Sequence, residues 1–194
     1  MKKNVAIFVF DEVEVLDFAG PFEVFSVTDA LHNRDVFNVF LCAETLGTVR
    51  ARNGLKIVPD YTLESCPEAQ LLIIPGGFGT RPLLNKPALL EWLRRKSRTA
   101  EIVASVCTGA LLLAKAGLLD GLQITTHHGA LDLLRELAPT SVIDPSKRFH
   151  DNGKFCISAG VSAGIDLSLH LVARLLGPEA AAETAHHMEY ERRT

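Results

Sequence analysis

Residues 103–111 read VASVCTGAL, which sets Cys107 between an apolar β-branched run and a small-residue helical start. Thiol chemistry runs through the sulfur anion. A helix amino terminus favours that anion, because its unpaired N–H groups carry partial positive charge. Strand, nucleophile and helix in this order make the sharp elbow of α/β hydrolases, here with cysteine in place of serine. Gly109 and Ala110 leave room for substrate and backbone to approach. A lone cysteine is most often a packed, inert one, so it is the position at the turn that raises the expectation of a reactive thiol.

Other groups have chemistry to offer. Thr108 follows the cysteine with a hydroxyl and an amide that could position substrate or water. Gly76 and Gly77 lie in PGGFGT (75–80) and could present backbone donors to developing negative charge, although glycine pairs after strands commonly only make turns. Asp17, in EVLDFAGPFEVF, stands just before Ala19-Gly20-Pro21. It could cap a helix; beside a thiolate it could instead keep a proton and donate it, and the residues leave both open. His127 and His128 end LQITTHH (122–128) and could take a proton, line a pocket, or simply face solvent.

These residues need a scaffold that brings them together. Apolar runs without alternation, VAIFVF (5–10), VFNVFLCAE (36–44), QLLIIPGG (70–77), EIVASV (101–106) and LQITTHH, read as strands. Helical patterns separate them, from about Ala19 to Leu31, Pro87 to Lys96, Thr108 to about Ala116, at 130–137 and 162–176, with a last helix from Pro178. Two hairpins are expected, 49–63 around Asn53-Gly54 and 148–160 around Asp151-Asn152-Gly153. The pattern reads as α/β, a flavodoxin-like three-layer sandwich with a mainly parallel sheet, helices on both faces and a nucleophile elbow. No repeat or linker divides residues 1–194, so one domain is expected. Ligands of such sheets bind outside the carboxyl ends of the strands, where Cys107, Gly76-Gly77 and Asp17 all fall.

With 194 residues, 47% hydrophobic and 22% charged, the chain is in the globular regime and long enough for a sizeable core. A formal net charge of −3 argues against nucleic-acid binding. No apolar run approaches a membrane span, and acidic residues come too early for a signal peptide, so a cytoplasmic protein is expected. Cys42, Cys66, Cys107 and Cys156 show no CxxC pair and no zinc-ligand spacing, and disulfides are not expected in that compartment. Cys42 and Cys156 read as core residues; Cys66, before Pro67, reads as an exposed loop thiol. Trp92, with Leu89 and Leu93, reads as packing. His187-Met188-Glu189 has the His-x-Glu spacing of glutamine amidotransferases, but its helical setting argues against a triad.

DFAGPFEVF, LLIIPGGFGT, SVCTGALLLAKAGLLDG, ITTHH and SAGVSAGIDLSLHLV, in this order from residue 4 to about 177, resemble the ThiJ/PfpI superfamily of class I glutamine-amidotransferase-like proteins. Within it the chain is most similar to isonitrile hydratases and to the sensor domain of AraC-type transcription regulators. The resemblance implies a sheet of six or more strands, a strained cysteine elbow and a homodimer. It gives Cys107 the role of nucleophile, followed by Thr108, with Asp17 as the required carboxylate. Many peptidases and deglycases of the superfamily place histidine directly after the cysteine, where Thr108 stands here. Tryptophan often follows the TTH motif, where this chain has His128. The function implied is a hydro-lyase that converts an isonitrile to an N-substituted formamide without metal or organic cofactor, with Gly76, Gly77, His127 and His128 lining the substrate site. The alternatives are a glyoxalase, deglycase or amidase using the same thiol, or a non-enzymatic ligand or redox sensor. AraC-type regulators carry a helix-turn-helix module after this domain, and this sequence stops at Thr194. Small-molecule substrate is the expected partner, with no nucleic acid and no membrane.

Overall fold

The computed structural model describes residues 2–192. In chain order the elements are β1 (Lys3–Phe8), α1 (Val15–Leu31), β2 (Phe37–Ala43), β3 (Val49–Arg50), β4 (Lys56–Ile57), β5 (Tyr61–Thr62), β6 (Leu71–Ile74), α2 (Thr80–Leu83) and α3 (Pro87–Thr99). They continue with β7 (Ile102–Ser105), α4 (Gly109–Lys115), β8 (Gln123–Ile124), α5 (Leu131–Leu137), β9 (Val142–Ile143), β10 (Phe149–Asn152), β11 (Phe155–Ser158), α6 (Ala163–Leu176) and α7 (Pro178–His187). A seven-stranded sheet runs β10-β11-β7-β6-β1-β2-β5. Every neighbouring pair in it is parallel except the β10–β11 hairpin. Helices α1, α6 and α7 pack together in one layer, and α2, α3, α4 and α5 are linked by contacts through α4 in the other. This is a mostly parallel, flavodoxin-like α/β sandwich.

Every residue of β6 and β7 is buried, as are the last four of β1. Covered on both faces, they show continuous apolar runs rather than alternation. The order of the strands makes the site. From β1 the chain moves outward through β2 to β5, then returns to β6 on the other side of β1 and moves outward again. The crevice at this reversal opens at the carboxyl ends of β1 and β6, with β7 next to β6.

Local departures from the sequence pattern have physical reasons. Helix α1 begins at Val15, four residues before its expected start, and holds Pro21 inside. The approach to it is tied to the β6 loop: Val13 bridges Gly77, and the Glu14 N–H donates to the Gly76 carbonyl at 2.9 Å. The expected 49–63 hairpin divides. Its arms are only β3 and β4, while β5 leaves to pair with β2 at the sheet edge. Only Gln123–Ile124 of LQITTHH is strand, and it pairs with β9 outside the main sheet. The rest is a loop that carries Thr126 and His127 to the elbow.

Candidate functional site

Cys107 follows β7 by one residue and has φ +56°, left-handed backbone that side chains other than glycine rarely adopt. Such a residue costs on the order of 1–3 kcal/mol and persists only where its surroundings hold it. Here the Cys107 N–H donates to Ala159 O at 3.0 Å, and the Thr126 hydroxyl donates to Cys107 O at 2.7 Å. Gly109 lets the elbow pack against β6, since a Cβ there would lie 2.0 Å from Ile74 O. The thiol is 5% exposed. The backbone N–H groups of Thr108 and Val161 lie beside its sulfur and favour its anion, while the charge of the neighbouring Asp17 carboxyl disfavours it.

Asp17 lies in the first turn of α1 and is not its N-cap, a position held by Glu14. Its side chain is fully buried. Oδ2 accepts the Gly76 N–H at 3.0 Å, while Oδ1 has no partner of hydrogen-bond geometry. Burial pushes the carboxyl up to about 7, against the pull of the Gly76 N–H and Cys107, with the nearby Glu14 charge adding to the rise. Burial also pushes the thiol up to about 12. The Asp17 charge adds to this, and the Thr108 and Val161 N–H groups offset only part of it. The expectation of a resting thiolate is therefore corrected: desolvation outweighs the helix end. With the carboxyl at about 7 and the thiol at about 12, Asp17 ionises first, and between these values the one proton left to the two groups sits on sulfur.

The glycines serve the pair. The Gly76 amide is taken by Asp17, and the Gly77 amide donates to Thr108 Oγ1 at 2.9 Å, so neither is a free donor for substrate. A Cβ on Gly76 would stand 2.4 Å from Thr108 N and 2.9 Å from Asp17 Oδ2. The Thr108 hydroxyl is turned inward as well, donating to Gly77 O at 3.1 Å. Thr108 thus braces the PGG loop against the elbow.

A cavity of about 110 Å³ opens over the sulfur, lined by Glu14, Gly77, Phe78, Arg81, Cys107, Thr108, His127 and Val161. Gly76 is not among these lining residues. His127 is half-buried, and its Nδ1 accepts the Gly129 N–H at 3.1 Å, which leaves Nε2 to carry the proton. Burial, with His128 and Arg81 nearby, lowers its pKa, so the ring is neutral at pH 7. His128 is exposed, its ring centroid 4.1 Å from that of His127, and it is not among the lining residues. The sequence reading missed Glu14, Phe78, Arg81 and Val161. Phe78 lies inside the PGGFGT motif, Arg81 directly follows it and Val161 lies inside SAGVSAG, but no spacing rule gives a loop residue its direction. Val161, with φ +47°, is the clearest case: a β-branched residue in left-handed backbone whose amide favours the sulfur anion.

The remaining candidates lie elsewhere. Cys42 and Cys156 are buried as expected; Cys66, expected at the surface, is buried against Cys42. His187 ends α7 and is exposed, as is Glu189, and neither lines the cavity. Among the described residues no cluster of three His, Cys, Asp or Glu side chains is arranged to hold a metal ion, and no helix is long and apolar enough to cross a membrane.

Comparison with known proteins agrees with this architecture. The DJ-1/PfpI family model matches residues 3–174. An isonitrile hydratase from Pseudomonas putida is 35% identical over 191 residues, covering 98% of this chain and 79% of that protein. The HTH-type transcriptional regulator CdhR from Pseudomonas aeruginosa is 33% identical, covering 88% of this chain, which spans only 50% of the regulator's length. The crystal structure of a ThiJ/PfpI family protein from Pseudomonas syringae superposes with a TM-score of 0.88 at 28% identity, over 100% of this chain and 77% of that one. The chain belongs to the DJ-1/PfpI family.

Proposed function

We propose that the protein is a cysteine-dependent hydro-lyase that adds water to an isonitrile, R–NC, to give the formamide R–NH–CHO. The observation that carries this reading is the buried Asp17 carboxyl beside the left-handed Cys107 elbow, which lines a small cavity. The first step consumes one proton and one sulfur nucleophile at the same carbon. Asp17 takes the thiol proton as sulfur attacks the terminal carbon and delivers it to that carbon, forming the S–C and C–H bonds of a thioimidate, R–N=CH–S–Cys107. Water then adds across C=N, with nitrogen gaining a proton, and the tetrahedral carbon expels sulfur. Asp17 returns the proton, the formamide leaves, and the pair is restored. The Thr108 and Val161 amides steady the charge on sulfur in both steps. No metal or organic cofactor enters this cycle. The isonitrile hydratase relative supports the substrate class, and the family resemblance supports a homodimer.

The test is hydration of cyclohexyl isocyanide by the purified chain, followed by proton NMR of N-cyclohexylformamide. Turnover is expected, with none from Cys107→Ser; a silent wild-type protein sinks the proposal. The regulator relative favours one second reading, a ligand or redox sensor. Its mark is a stable sulfenic or sulfinic acid on Cys107 at low peroxide with no isonitrile turnover. The aldehyde and amide chemistries of the superfamily have less support, because Thr108 occupies the position after the nucleophile. Methylglyoxal loss measured in the same series separates them from hydration.

A further inference from the structure

The cavity over Cys107 is asymmetric in charge. Arg81 lines it, half-buried, and only its Nη1 is engaged, donating to Gly77 O at 3.3 Å and Thr80 Oγ1 at 3.1 Å. Among the described residues its Nε and Nη2 have no acceptor, and no carboxylate lies within ion-pair distance of it. The one other charged lining residue, Glu14, is faced by Arg52 at 3.7 Å. Phe78, 57% exposed, stands at the mouth with the Arg52 guanidinium 3.8 Å and the Arg81 guanidinium 5.8 Å from its ring centre. Both guanidiniums are within cation–π range of the exposed ring, which stiffens the mouth. A half-buried guanidinium with two free donor nitrogens, at a cavity whose floor is a nucleophile, is built to accept a planar anion. The cavity volume of about 110 Å³ lies well below the roughly 300–1,000 Å³ of sites for drug-sized ligands, so the anion must sit close to the reacting carbon.

We propose that Arg81 selects substrates that carry a carboxylate a few bonds from the carbon attacked by Cys107, the class of small isocyano carboxylates. This rests on the hydration reading for the reacting group, but the anion site stands on its own geometry. The carboxylate takes Nε and Nη2 of Arg81 side-on. The Phe78 edge closes over the chain between the two functional groups.

Two measurements on the full chain separate the claims. The first compares kcat/KM for isocyanoacetate and its neutral methyl ester. Wild-type protein is expected to favour the acid by roughly tenfold to a hundredfold, the worth of a charge-assisted hydrogen bond, and Arg81→Gln to lose that ratio. The second compares alkylation of Cys107 by iodoacetate and iodoacetamide, read at residue 107 by mass spectrometry and scaled to glutathione. The anionic reagent is expected to gain at Cys107 in the wild type and in Arg81→Lys, and to lose that gain in Arg81→Gln. Hydration of acid and ester at equal rates overturns the substrate class while leaving hydration standing. No turnover of any isonitrile, with the alkylation ratio as expected, removes hydration and keeps the anion site. An alkylation ratio equal to that of glutathione, or unchanged in Arg81→Gln, overturns the role of Arg81.

Discussion

Two side chains 90 residues apart in sequence share one proton, and the residues around them are chosen to keep it so. Asp17 reaches Cys107 only because Gly76 lies between β6 and the elbow without a side chain. Gly76→Ala is expected to destabilise the fold by about 1–3 kcal/mol and to abolish isonitrile turnover, because its Cβ collides with backbone rather than a movable side chain. Urea melts followed by circular dichroism check the first effect, and the NMR assay checks the second. At this scale the sequence was informative for Cys107 and Asp17, whose positions after strands place them at one sheet edge. It was silent on Arg81 and Glu14, which reach the cavity by side-chain direction, and on the glycine amides, which turn toward Asp17 and Thr108 instead of substrate.

Elements translate the strand order into this contact. The elbow between β7 and α4 is held by partners from two other segments, Thr126 after β8 and Ala159 after β11, so its left-handed residue does not relax. Removing the sulfur exposes the backbone strain by itself. Cys107→Gly is expected to be at least as stable as Cys107→Ala, by up to about 1 kcal/mol, although glycine ordinarily loses this comparison through its freer unfolded chain. Urea midpoints of the two variants decide it; a clear advantage for alanine contradicts a strained elbow. Strands β1, β6 and β7 were legible because burial on both faces writes itself as unbroken apolar sequence. The two-residue β5 was hidden inside a hairpin signal, and the TTHH segment looked like strand because threonine favours strands while tertiary contacts to the elbow hold it as loop.

For the whole molecule, a buried carboxyl makes stability depend on pH. Asp17 has a folded value of about 7, raised from an ordinary 3.8, so between these limits the folded chain binds more protons than the unfolded one. Its contribution is most favourable below the unfolded value and is lost as pH rises through about 7. At about 1.4 kcal/mol per unit, the loss is on the order of 4 kcal/mol. Wild-type protein is therefore expected to lose more stability between pH 5 and pH 8 than Asp17→Asn, measured as urea midpoints at both values. Parallel losses would mean that the carboxyl is solvated. The global fold was readable because alternating strands and helices with Gly-rich breaks leave few topologies. The site's charge balance was not, because desolvation depends on what covers a residue.

The shared proton is tested most directly by the rate at which iodoacetamide alkylates Cys107 as pH is varied, in the wild type and in Asp17→Asn. The wild-type rate is expected to keep rising beyond the ordinary thiol value of 9.0, toward about 12, and the rise in Asp17→Asn to move downward, because the variant lacks the carboxylate charge that holds the proton on sulfur. A single midpoint near that ordinary value in both proteins would show two independent groups and contradict the coupled pair.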